Sequence, residues 1–198
     1  MDRGHSLYVI RHFPTEGNEK KQYIGWTNEP IIPLEMNPLS IDVSTVYGSD
    51  LLRAKQTAKI YFPNASYSAD ERLRECHFGA FEGKTYTELE TDQQYRNWIG
   101  DPHRYAPTGG ESLKEMRLRV VEALRSLPNE AFAVTHGGPI RMMMAQFAPE
   151  EKPFWSWIVP HGSIWKFRWK NRADLEEGRR CMSLSEVRIT ENGHMSGN

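Results

Sequence analysis

Apolar and polar positions alternate along this chain in a way that separates strands from helices. Residues 6–10, Ser-Leu-Tyr-Val-Ile, form a short apolar run that reads as a buried strand and opens directly onto Arg11-His12 and a polar loop over 14–18. Residues 43–48 read as a second strand. Ser49 then offers a cap for a helix over 51–62, whose mixture of Leu52, Lys55, Gln56 and Lys59 gives one inward and one wet face until Pro63 stops it. Ser112-Leu113-Lys114-Glu115 fits a capping box, and Leu113, Met116, Val120, Leu124 and Leu127 recur at helical spacing before Pro128-Asn129. Residues 131–135 form another apolar strand, followed by His136-Gly137-Gly138-Pro139 and a helix from about 140 to 147. Over 163–170 the chain alternates strictly, with Trp165, Phe167 and Trp169 set against Ile164, Lys166, Arg168 and Lys170, which marks a strand with one buried face. Strands alternating with helices indicate an α/β fold.

Residues 83–110 break this rhythm. They are polar and aromatic, with short helical pieces around 85–90 and 92–99 ending in Gly100-Asp101-Pro102, and they read as an insertion or lid. The full 198 residues suit one domain carrying such an insertion. A folded chain of this length buries about 70% of its extended surface, so it needs no disulfide or metal staple to form a core.

Twenty-five Lys and Arg stand against twenty-six Asp and Glu, a net charge of −1. That balance argues against a surface built chiefly for nucleic acid or for an acidic membrane, so any anion site has to be local. The apolar runs at 7–10 and 154–159 fall far short of a signal-peptide core or of the roughly 20 residues that span a bilayer, and a cytoplasmic location is expected. Cys76 and Cys181 are read as reduced thiols.

Two strands lead into a histidine: Ile10 into Arg11-His12, and Val134 through Thr135 into His136. Ligands of open α/β sheets collect at the carboxyl ends of parallel strands, which makes both histidines candidates for one crevice. Arg53, in the first turn of the helix after the second strand, belongs with them. Two guanidinium groups and two imidazoles would repel one another without an anion among them, and arginine forks match phosphate in geometry and charge. Thr15 and Asn18 add neutral donors, and the Gly137 and Gly138 amides precede a helix, where they can face an anion. An imidazole with an ordinary pKa near 6.5 is largely a free nucleophile at neutral pH, and His12 is the choice for that role. Arg11, Arg53 and His136 would neutralise charge on the transferring group. Glu75 is the candidate general acid if its loop folds over the pocket, with Glu82 its rival.

These residues fall in ordered blocks: Arg11-His12 with Thr15-Glu16-Gly17-Asn18; 23–30, Tyr-Ile-Gly-Trp-Thr-Asn-Glu-Pro; 49–58, Ser-Asp-Leu-Leu-Arg-Ala-Lys-Gln-Thr-Ala; Leu73-Arg74-Glu75 with 78–83; 109–112, Gly-Gly-Glu-Ser; and 134–138, Val-Thr-His-Gly-Gly. In that order the chain resembles the histidine phosphatase superfamily, the phosphoglycerate mutase-like proteins. The resemblance implies a three-layer α/β/α sandwich with a mostly parallel central sheet. It implies a phosphohistidine at His12 formed without a metal or cofactor, a pocket completed by Arg11, Arg53 and His136, and Glu75 as proton donor. Asn18 matches a position that helps bind phosphate, and Thr15, Gly25 and Gly137 are taken with it as substrate-binding positions. The blocks over 73–112 look most like the compact branch of α-ribazole and broad-specificity phosphatases.

Two features depart from the family pattern. Phe13 replaces the usual glycine after Arg-His, which is expected to displace the pocket floor or narrow its entrance. The segment over 31–43 lacks the family's long helix, and Pro30, Pro33 and Pro38 oppose a replacement. The reading that follows is a metal-independent phosphomonoesterase acting on a small phosphorylated metabolite and releasing inorganic phosphate. A phosphoglycerate mutase and a non-catalytic phospholigand binder are the alternatives. Whether the chain acts alone or as a homodimer is left open.

Other side chains read more simply as structure. His5, His77, His103, His161 and His194 lack metal-ligand spacing, although His161 is a candidate for the pocket rim. Cys76 has Glu82 six positions on, where a cysteine phosphatase needs arginine. Met142, Met143 and Met144 read as packing. Phe154, Trp155 and Trp157 read as core or crevice wall, and the basic positions between 166 and 180 as the wet face of a terminal hairpin.

Overall fold

The computed structural model describes residues 4–190 and 192–196. In chain order its first half contains β1 (His5–Arg11), α1 (Glu16–Glu19), β2 (Thr45–Gly48), α2 (Leu52–Tyr61), β3 (Ser66–Ala69), α3 (Tyr86–Leu89) and α4 (Gln93–Gly100). Its second half contains α5 (Leu113–Ser126), β4 (Ala131–Thr135), α6 (Gly137–Phe147), β5 (Ile164–Trp169), α7 (Arg172–Glu176), β6 (Ser183–Ile189) and β7 (Met195–Ser196).

Strand alternation sets the layers, because successive side chains leave a strand on opposite faces. Leu7 and Val9 of β1, Ala131 and Ala133 of β4, and Phe167 and Trp169 of β5 join one apolar cluster with Met116, Val120, Ile140 and Met143 of α5 and α6. Ile10, Phe132, Val134 and Ile164 leave on the other face and pack with Ala54, Ala58 and Tyr61 of α2. Helices therefore cover both faces of the sheet, as expected of a three-layer α/β/α sandwich. Each fully buried large apolar side chain contributes roughly 1.5–3 kcal/mol, so both faces are needed to hold the sheet.

The strand order is β3-β2-β4-β1-β5-β6-β7. β3, β2, β4 and β1 run parallel, whereas β5, β6 and β7 each pair antiparallel with the strand before them in the sheet. The parallel centre is the expected one, and the terminal hairpin extends it as an antiparallel flank. Residues 83–110 carry α3 and α4 around a separate aromatic cluster of Phe81, Leu89, Tyr95 and Trp98. Residues 31–43 contain no helix, as their prolines require.

Two boundaries differ from the sequence reading. Ser49 does not cap α2: the N-cap position is Leu51, with no side-chain cap, and Asn28 Oδ1 instead accepts the Leu52 N–H at 2.7 Å. A residue distant in sequence thus satisfies one of the free amides at the helix start. α6 begins at Gly137 rather than near 140, because Pro139 lies in the first turn, where a missing N–H costs no helical hydrogen bond.

Candidate active site

Register brings the site together. β1 and β4 pair from Leu7↔Ala131 to Arg11↔Thr135, so the two strands end side by side. The His12 N–H then donates to the Thr135 carbonyl at 3.0 Å, and the His12 and His136 rings lie 4.9 Å apart. On the other side of β4, Ser49 N–H donates to the Val134 carbonyl at 2.9 Å, which places the exit of β2 beside the same strand end. The first turn of α2 delivers Arg53, whose Nε donates to His136 Nδ1 at 3.2 Å.

These hydrogen bonds assign the protons. His12 Nδ1 lies 2.6 Å from the Phe13 carbonyl, an acceptor only, so Nδ1 carries the hydrogen and Nε2 keeps its lone pair. His136 accepts from Arg53 at Nδ1, so its hydrogen is on Nε2, and that atom is buried without a partner among the described residues. Arg11 Nε is likewise buried and unpartnered, while another nitrogen of its guanidinium donates to the Val159 carbonyl. Two orphaned donors beside a free imidazole lone pair describe a place for an anion, since burying an unmade hydrogen bond is costly.

Arg53 is fully buried and donates to the carbonyls of Gly25 at 2.6 Å, Thr27 at 2.8 Å and Ile24 at 3.4 Å. Burial lowers the Arg11 pKa to about 10, with Glu75 opposing the shift. Burial, and then Arg53, hold His12 and His136 well below the usual histidine value. Both rings are neutral at pH 7. An unfolded chain takes up protons near pH 6.5 that these rings refuse, so folding stability is complete above that value and is lost as pH falls through it. Each such ring contributes up to about 1.4 kcal/mol per pH unit. Urea unfolding in phosphate-free buffer is expected to show stability dropping between pH 7 and pH 5. A flat profile would mean that the rings protonate in place.

Glu75 is buried at the edge of this group. Its carboxylate accepts the Gly138 N–H on both oxygens, at 3.1 and 3.0 Å, and the Cys76 N–H at 2.8 Å. A Cβ at position 138 would lie 2.1 Å from Glu75 Oε1, so only glycine seats this carboxylate at the start of α6. Glu75, Arg11, Asn18, Arg141 and Gly138 line a cavity of about 160 Å³ walled by Tyr23, Phe78, Trp98, Phe154 and Trp155. Phe154 and Trp155 thus serve as crevice wall.

Glu82, the rival acid of the sequence reading, is engaged with a loop. Its carboxylate accepts from the Gly25 and Trp26 amides at 3.0 and 2.7 Å and from the Thr27 hydroxyl at 2.9 Å, binding down the loop whose carbonyls hold Arg53. Glu82→Ala is expected to cost about 1–3 kcal/mol in chemical denaturation, because it strips several donors of their acceptor. The basic limb of the pH–rate profile should stay where it is in the parent protein, and a shift of that limb would return Glu82 to the chemistry.

The remaining sequence candidates separate. Gly137 lies under the arginines: a Cβ there would come within 3.2 Å of the Arg11 guanidinium carbon and 3.1 Å of an Arg141 nitrogen. Thr15 is fully buried and caps α1 through the Asn18 N–H, and Gly25 spends its amide on Glu82 and its carbonyl on Arg53. Both hold neighbouring backbone and side chains in place through these bonds. Phe13 does not narrow the entrance; its ring is buried in the α2-side cluster, 5.0 Å from the Tyr61 ring. His161 does reach the site, 5.4 Å from the His12 ring. Arg141 escaped the sequence reading, although its place one turn after Gly137 on α6 was a usable signal. Cys76 and Cys181 are both buried and unpaired.

Comparison with known proteins places the chain in a family. Residues 7–177 match the profile of the histidine phosphatase superfamily (branch 1). The chain is 29% identical over 154 residues to "Putative phosphoserine phosphatase 2" of Hydrogenobacter thermophilus, covering 70% of this chain and 76% of the relative. It is 24% identical over 200 residues to the adenosylcobalamin/alpha-ribazole phosphatase of Salmonella typhimurium, covering 91% and 90% of the two chains. The solved structure of TTHB049 from Thermus thermophilus superposes with a TM-score of 0.68 at 29% identity, over 90% of this chain and 98% of that one.

Proposed function

This chain belongs to the histidine phosphatase superfamily, branch 1, and from that premise we propose that it hydrolyses a small-molecule phosphomonoester through a phosphohistidine at His12. The observation that carries the reading is the pair of opposite tautomers. The Phe13 carbonyl takes the Nδ1 hydrogen of His12 and leaves Nε2 nucleophilic, while Arg53 occupies Nδ1 of His136 and leaves its Nε2–H as a donor.

In the first step the His12 Nε2 lone pair forms a bond to phosphorus as the bond from phosphorus to the ester oxygen breaks. Charge on the three peripheral oxygens is met by Arg11, Arg53 and the His136 N–H. Glu75, protonated at this point, passes its proton to the departing oxygen, and the alcohol leaves. In the second step Glu75, now a carboxylate, takes a proton from water as the water oxygen attacks phosphorus. The P–N bond breaks, its electron pair returns to His12, and phosphate departs. The route assigns no step to a metal.

The test is to mix the protein with a ³²P-labelled phosphomonoester and chelator and to quench within the first turnovers. A label that is stable in base, lost in acid and located at His12 by peptide mapping is the expected result. Turnover without such a label, or a label on another side chain, would overturn the proposal. Isomerisation of 3-phosphoglycerate without phosphate release would reassign the chemistry to a mutase.

A further inference from the structure

Asn18 presents its carboxamide in one orientation only. Its Oδ1 accepts the Thr15 N–H at 3.2 Å and lies 3.1 Å from His161 Nε2, which must therefore be the protonated nitrogen of that ring. With the oxygen taken twice, the NH₂ group is what Asn18 turns to the cavity that Arg11 and Glu75 also line. Were the carboxamide reversed, its oxygen would face the bound anion and its NH₂ would face two donors.

The element that carries His161 is firmly held. The Gly162 N–H donates to the Arg11 carbonyl at 3.0 Å, the Arg11 N–H to the Ser163 carbonyl at 3.0 Å, and the Tyr61 hydroxyl to the Gly162 carbonyl at 2.6 Å. Gly162 has φ +76°, and a Cβ there would lie 2.6 Å from the Phe13 ring. The phenyl ring following Arg11-His12 is thus packed beneath the turn that delivers His161. Burial, with Arg11 and Arg141 nearby, pushes the His161 pKa down to about 4, so the ring donates as a neutral imidazole at working pH.

We infer that His161 is a positioning residue: carried on the turn whose Gly162 packs against the Phe13 ring, it locks the Asn18 carboxamide so that its NH₂ faces the substrate phosphate. The inference rests on the phosphate-pocket reading above. It gives Phe13 a purpose that a glycine at that position could not serve, because a glycine would leave the underside of the 160–163 turn empty.

The test compares His161→Ala, His161→Gln and His161→Phe, with and without Asn18→Ala, on p-nitrophenyl phosphate, with inorganic phosphate as inhibitor. Loss of the donor in His161→Ala should raise KM and the inhibition constant of phosphate about tenfold while kcat changes less than threefold. His161→Gln, whose amide can still donate, should recover most of that loss. His161→Phe, which keeps the ring but not the N–H, should not. In the Asn18→Ala background His161→Ala should add nothing.

Unchanged KM and phosphate inhibition in His161→Ala, or equal losses with and without Asn18, would overturn the inference. The Gln and Phe variants retain side-chain bulk and decide the question if the alanine variant unfolds. His12→Ala separates the two levels. Activity surviving that change sinks the phosphatase mechanism, whereas an inactive His12→Ala beside neutral His161 variants sinks only the positioning role.

Discussion

His12→Ala is expected to lower phosphomonoester hydrolysis by roughly 10,000-fold or more, the scale on which removal of an enzymatic nucleophile is felt. The expectation follows from one atom. His12 Nδ1 is committed to the Phe13 carbonyl, so Nε2 is the ring's only lone pair. His136 has its Nδ1 lone pair covered by Arg53, whereas His161, whose Nε2–H goes to Asn18, keeps its lone pair on Nδ1. The variant should remain folded, because the ring is exchanged for a small side chain beside backbone bonds from His12 and Phe13 that persist: the His12 N–H to Thr135 and the Phe13 N–H to the Thr57 hydroxyl. It should still bind phosphate, since Arg11, Arg53 and His136 are intact. Initial rates measured beside phosphate-induced thermal stabilisation check both halves. Retained turnover, or loss of phosphate binding together with turnover, would contradict the assignment.

The second large effect is expected at Glu75. Glu75→Gln keeps the shape and can still accept the Gly138 and Cys76 amides through its carbonyl oxygen, but it cannot give or take the transferred proton. General acid catalysis is worth roughly 100- to 10,000-fold, so losses in that range are expected for an alkyl phosphate, whose alkoxide leaves poorly unless protonated. For p-nitrophenyl phosphate the phenolate leaves unaided, and the first step should be nearly spared. The phosphoenzyme should then accumulate, because the same side chain is needed to activate water. A burst of nitrophenolate equal to the enzyme concentration, followed by slow turnover, is the signature. Equal losses for both leaving groups and no burst would remove Glu75 from the proton path.

Much of this site could be read before any coordinate was known, and the exceptions share a cause. Arg11, His12 and His136 were legible because each follows directly on an apolar strand, and strand ends in a parallel sheet have a predictable place. Arg53 was legible through its block, although a buried arginine is unusual and nothing local announces one. β3 gave no signal: Ser66–Ala69 is a mostly exposed edge strand, too short for its alternation to establish a period. Ser49 looked like a cap by type and position, yet its hydroxyl accepts the Leu51 N–H, ahead of the helix, and Asn28 takes the Leu52 N–H. Phe13 looked like an obstruction because the sequence shows which residue departs from a pattern but not which way its ring turns.

The amino-acid sequence by itself therefore determined the α/β framework, through the period of its apolar positions, and the set of side chains standing at the strand ends. Only the tertiary structure decided which nitrogen of each histidine holds its proton, that Glu75 rather than Glu82 faces the cavity, and that His161 meets Asn18. The reason is physical. Periodicity is written into neighbouring residues, whereas a tautomer or a carboxylate's role is set by its hydrogen-bond partners, and here those come from 83 residues away for Arg53 with His136, 63 for Glu75 with Gly138 and 143 for Asn18 with His161.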